Sequence, residues 1–195
     1  MSKIDFEITD QNYTIVRDQI IAILTSELIE QYNITSDPLF QLTIYKERFI
    51  PYDKIELPAI SVYFSNSEYN DNNPSQSAGT AVFNIEVTTS AKNTSSVKGD
   101  TQAVIDCQKL IGVVRYILMN PNYLSLGLTD KKIIRNRRID SINFGRNNQQ
   151  DGIHTAFGII TLSVDMVESN GVLEGVSLEG YTTTLNENFK IEINK

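Results

Sequence analysis

Apolar positions along this chain change period several times, and each change marks a new element. From about Asp10 to Tyr32, Val16, Ile20, Ile23, Leu24 and Leu28 recur at spacings of three and four, one stripe of a helix. Asp10 or Asn12 is placed to cap it, because a short side-chain oxygen accepts from the free first-turn amides. Arg17, Asp18, Glu27 and Glu30 lie off the stripe, so the helix is expected to lay an apolar side on the protein's own sheet. After Asp37-Pro38 the period falls to two. Phe40, Leu42 and Ile44 predict a strand running on towards Phe49, Ile60, Val62 and Phe64 a second, and Ala81, Phe83, Ile85 and Val87 a third. Residues Glu68 to Gly79 hold too little apolar surface to offset their ordering entropy and predict a mobile projecting loop.

Ala91 to Gly99 forms a second polar linker, after which Asp100 is expected to cap a helix reaching about Asn120. Val104, Cys107, Ile111, Val114 and Leu118 make its stripe, broadened by Ala103, Leu110 and Ile117, and Asn120-Pro121 ends it. Gly112 inside it costs roughly 1 kcal/mol of helix propensity relative to alanine, which a close backbone approach to a neighbouring element would offset. Two strands follow, Ile133 to Phe144 and the alternating run Thr155 to Met166, joined by a turn over Gly145 to Gly152. The order α-β-β-β-α-β-β spans one α/β (α+β) domain over residues 1–168. Residues 169–195 read as an acidic arm with room for one extra strand around Phe189, Ile191 and Ile193.

Composition changes this picture little. The chain has 195 residues, 41% hydrophobic and 21% charged, enough for one self-sufficient core. The first ten residues hold no apolar h-region, so no secretory signal is expected, and no apolar run approaches the ~20 residues that span a bilayer. Candidate chemistry is sparse. No phosphate-loop, dinucleotide, zinc-protease or calcium-loop pattern occurs, and no G-x-S-x-G frames a serine. His154 is expected at the start of a strand, Cys107 as a small packed hydrophobe, and Glu68 with Asp71 in a solvated turn. An enzyme is disfavoured, with neither metal nor cofactor expected.

Charge is concentrated in one place. Lys131, Lys132, Arg135, Arg137, Arg138 and Arg146 are opposed only by Asp140, a local +5 that leaves −12 on the rest of a −7 chain. Three readings stand: an edge strand whose charges discourage unwanted pairing, a salt-bridged contact with an identical neighbour, and phosphate contact with nucleic acid. Arg137 and Arg138 are adjacent on a strand and so point to opposite faces, which argues against one continuous basic patch.

The order of elements resembles the tail terminator (tail completion, head–tail joining) proteins of tailed bacteriophages over roughly Asp10 to Glu168. The likeness lies in the helix Tyr13–Leu24, the strands Leu57–Phe64 and Ala81–Val87, the helix Gln102–Met119 and the strand Thr155–Val164. It rests on pattern, with no invariant motif. The resemblance implies a mixed, mostly antiparallel sheet with two helices packed on one face, and no active site. It implies a virion structural protein at the head-proximal end of the tail, assembled in the host cytoplasm. Its partners would be itself in a homo-hexameric ring, the tail tube protein, a head connector or neck protein and, in a contractile tail, the sheath. DNA would pass through the lumen without sequence-specific binding, and no membrane is involved. In a ring, Lys131, Lys132, Arg135, Arg137, Arg138 and Arg146 would serve a subunit or partner interface. Tyr69, Asp71, Asn72 and Asn73 would belong to a docking loop. Alternatives are a head-completion, neck or tail-tube protein, or a soluble module that holds nucleic acid or an acidic partner on strand 131–146.

Overall fold

The computed structural model describes residues 11–48, 57–70, 76–128, 133–146 and 153–169. Helix α1 (Asn12–Thr35) is followed by strands β1 (Thr43–Lys46), β2 (Ala59–Tyr69) and β3 (Gln76–Lys92), helix α2 (Gly99–Met119), and strands β4 (Ile134–Arg146) and β5 (Ile153–Ser169). They make one mixed sheet in the order β1-β2-β3-β5-β4, parallel only between β1 and β2. The order α-β-β-β-α-β-β expected of an α+β domain is therefore the order observed. Residues 170–195, with the expected acidic arm and its extra strand, lie outside the described residues. Among the described residues no helix is long and apolar enough to cross a membrane.

Both helices pack on one face of the sheet. Cys107 donates its thiol to the Val87 carbonyl, Thr89 donates its hydroxyl to the Ala103 carbonyl, and Gly158 faces Ile111. A Cβ on Gly158 would stand 2.3 Å from the Ile111 Cδ1, so the close approach of α2 to the sheet is made by a glycine of the strand. Gly112, expected to make that approach, has open space where its Cβ would be. The core runs from Val16, Ile20 and Leu24 of α1 across Phe83, Ile85, Ile160 and Leu162 to Leu110, Val114 and Leu118 of α2.

Several boundaries differ from the sequence expectation. α1 continues past Tyr32 to Thr35, where Ser36 takes a left-handed turn (φ 55°) and returns its N–H to the Tyr32 carbonyl. Its last turn is solvent-facing, so no apolar stripe announced it. The strand expected from Phe40 is instead a 3-10 turn over Pro38–Phe40, with the Asp37 carboxylate accepting from Leu39 N at 3.0 Å. Phe40 is buried by that turn, and the strand is only Thr43–Lys46. Residues 71–75 of the expected projecting loop lie outside the described residues, and the described residues on either side of them continue the hairpin. Glu68 and Tyr69 pair with Thr80 and Gly79, and Asn70 N donates to the Ala78 carbonyl. Backbone pairing is indifferent to side-chain polarity, so a polar stretch can continue a ladder begun by its apolar neighbours. Gly79 permits it, since a Cβ there would come within 2.2 Å of the Glu68 carbonyl oxygen. Likewise β3 absorbs Ala91 and Lys92 of the expected linker.

Candidate interaction surfaces

β4 is an edge strand, and two irregularities interrupt its register, between Ile134 and Asn136 and between Ile139 and Ser141. Bulged, charged edges resist pairing with another chain. Along it the basic residues separate. Arg135 is exposed at the first irregularity. Arg138 faces the side of the sheet away from the helices, held by Asp140 at 2.9 Å and Asp165 at 3.5 Å. Arg146 is the last residue of β4, and Lys131 and Lys132 lie outside the described residues.

Arg137 turns inward, 8% exposed, under the end of α2. Its Nη2 donates to the Asn120 carbonyl at 2.7 Å, while Nε and Nη1 are buried with no partner among the described residues. Burial lowers its pKa from the ordinary arginine value. Its charge lies at the negative end of the α2 dipole. A cation so placed serves the fold and is withdrawn from any surface patch.

The opposite charge performs the matching task on α1. Neither Asp10, which lies outside the described residues, nor Asn12, the first helical residue, is the cap; that position is Gln11, which gives no side-chain bond. Instead the Glu168 carboxylate on β5 accepts from Asn12 N at 2.7 Å and Tyr13 N at 2.9 Å, and Asn12 Nδ2 donates to the Val167 carbonyl. Asp100 also falls two residues beyond its expected role. Lys98 is the cap of α2 without a side-chain bond, and Asp100 accepts from Thr101 N inside the first turn. Arg17, placed off the stripe by spacing, is buried and paired with Asp18 and with Glu47, whose carboxylate also accepts from Phe64 N. Glu168 was visible in the pattern. It follows Met166 at the inward parity of β5, where a carboxylate must find donors.

The sheet face away from the helices is polar and laterally bonded. Tyr63 bonds Asn84, Thr161 donates to Asn84 at 3.2 Å, Ser141 donates to Thr161 at 3.2 Å and Asn143 donates to Ser141 at 3.1 Å, a row crossing β2, β3, β5 and β4. Beside it stands Glu86, whose carboxyl burial holds above its ordinary value near 4.5, partly offset by a hydrogen bond from Thr88. A folded pKa raised above the unfolded one contributes stability that is full below about pH 4.5 and is lost as pH rises through the folded value. Glu86→Gln is therefore expected to be more stable than the wild type at pH 7, with the difference closing below about pH 4.5 in denaturant titrations. Glu168 is shifted the same way, but it is common to both proteins and cancels in the comparison. Equal stability at every pH would show that Glu86 is not desolvated.

Docking-loop residue Tyr69 is an exposed strand end, and Asp71, Asn72 and Asn73 lie outside the described residues. Cys107 is fully buried, and burial pushes its thiol up to about 11, against nucleophilic use. His154 stands in β5 opposite Ala91, as expected of a strand start, with its ring against Gly99. Its Nε2 is buried with no partner among the described residues. No group of three His, Cys, Asp or Glu among the described residues could hold a metal ion. No protein-family model and no curated protein matches this chain.

Proposed function

We propose that this chain is a structural subunit of the head-proximal end of a phage tail. It forms a ring that caps the tail tube, stops further subunit addition and joins the tail to the head connector. One observation carries the reading: the order α-β-β-β-α-β-β closes into one mixed sheet with both helices on a single face. That is the architecture implied by the resemblance to tail terminators. Charge placement supports it. A closed ring needs two different complementary patches on each subunit. The exposed side of α1 offers Glu30, and the β4 edge offers Arg135. The irregular β4 register favours contact through side chains over a continuous intersubunit sheet.

The nucleic-acid reading is weaker, because Arg137 points into the fold and Arg138 is neutralised by two carboxylates. Mass photometry with negative-stain imaging tests the proposal. Closed rings are expected from the purified chain or on addition of its tube protein. A monomer that stays single at high concentration and in the presence of the tube overturns it.

A further inference from the structure

Gly112 sits on the outward side of α2, and a Cβ there would meet nothing within 4 Å. Glycine is unfavourable in a helix interior, and here no positive φ and no contact among the described residues asks for it. Around it α2 exposes Tyr116 (71%), Ile105 (49%) and Met119 (38%). At 3.6 residues per turn these fall within about 40° of Gly112 around the helix, so they form one apolar stripe with a notch in it.

Charge along α2 is polarised. Asp100 and Asp106 precede the middle residue, which is Lys109, and Arg115 follows it. The helix dipole accounts for Asp100, but its effect falls off within one turn, and Asp106 and Lys109 lie beyond that reach.

We propose that the outer side of α2 is a two-fold contact with a second copy of this chain, the two α2 helices running antiparallel. The antiparallel sense sets each acidic stretch against the partner's basic stretch, whereas a parallel sense sets like on like. One register satisfies both flanks of the seam: Asp100 opposite the partner's Arg115 on one side, and Asp106 opposite the partner's Lys109 on the other. The two-fold axis then crosses α2 between residues 107 and 108. Ile105 lies over the interval between the partner's Gln108 and the partner's Gly112, and the absent side chain at 112 makes room for it. Lys109 is also held by Asp37 and stands 5.6 Å from the Phe40 ring centroid, and the half-buried Asp106 accepts from Gln102 Nε2 at 2.8 Å, so the Asp100 flank sets the register more strongly. The contact is self-complementary and independent of the ring reading, because ring closure uses two different patches. A dimer, or two rings joined face to face, would carry it.

Gln108→Cys tests the register. Its neighbour Cys107 is buried with its thiol pushed up to about 11 and does not compete. The two residues 108 would flank the axis within the roughly 5–6 Å Cα separation that a disulfide needs. Near-complete oxidation to a linked dimer is expected, while Ser26→Cys on the exposed side of α1 stays unlinked. Gly112→Gln is expected to raise the unfolding midpoint and yet halve the native mass in mass photometry. An unlinked Gln108→Cys, or a native mass unchanged by Gly112→Gln, overturns the two-fold contact. The ring reading fails separately: single rings that persist in Gly112→Gln leave it standing, and a wild-type dimer that never forms rings overturns it alone.

Discussion

Phe83→Ala is expected to destabilise the fold by about 3–5 kcal/mol, the cost of removing a fully buried aromatic and leaving a cavity. For a chain of this size that lowers the thermal midpoint by roughly 6–20 °C. Phe83 is completely inaccessible at the middle of β3, paired with Phe64 on one side and Leu162 on the other. Its ring meets Phe64 edge-on at 5.9 Å between centroids, and Phe64 stacks on Tyr13 of α1 at 4.4 Å. The aromatic row thus ties the first turn of α1 to the centre of the sheet. Truncating its inner member removes packing from three elements together. Ile105→Ala, on the exposed side of α2, is the control in the isolated monomer and should stay within about 0.5 kcal/mol. A one-residue slip of β3 would send Phe83 to the polar face of the sheet. A loss under about 1 kcal/mol in denaturant unfolding would therefore refute the β3 register.

Glu168→Ala is expected to cost about 2 kcal/mol, since hydrogen bonds to a charged partner are each stronger than neutral ones and two are lost. Asn12 N and Tyr13 N would keep no acceptor at a part-buried helix start whose own cap, Gln11, supplies none. The cost is less than two full charged hydrogen bonds because the ionised carboxylate is itself desolvated. Burial raises the Glu168 pKa, and the two backbone bonds only partly lower it. Hydrogen exchange should quicken first in the opening turn of α1. Gln11→Asp in the Glu168→Ala background should recover about 1 kcal/mol, because the cap carboxylate then accepts from Tyr13 N, one of the two stranded donors. Unchanged exchange in that turn, or no recovery from Gln11→Asp, would mean that Glu168 is not the cap.

These two sites differ in how plainly they were written in the chain. Phe83 lies in the cleanest alternating run, between Ala81 and Ile85, and its burial follows from parity alone. Glu168 lies in an equally clean run, but parity says only that a carboxylate faces inward. That it meets the start of a helix more than 150 residues earlier depends on where β5 sits in the sheet. The same holds for Arg137. Adjacency placed it and Arg138 on opposite faces, yet only the position of the α2 end over β4 makes Arg137 a helix-end cation. Gly112 was misread in the other direction: the need for close approach was real, but Gly158 meets it inside the chain.

By itself the sequence determined two helices, the two long central strands and the absence of any recognised catalytic motif. Burial of one side of an element leaves a period of 3.6 or 2, and such periods are local. The tertiary structure decided the insertion of β5 between β3 and β4, the polar continuation of the β2–β3 hairpin, the buried fate of Arg17, and the use of Glu168 and Arg137 at helix ends. Those outcomes depend on backbone pairing and on desolvation of charge. Both are set by partners distant in the chain, and no local spacing of side chains records them.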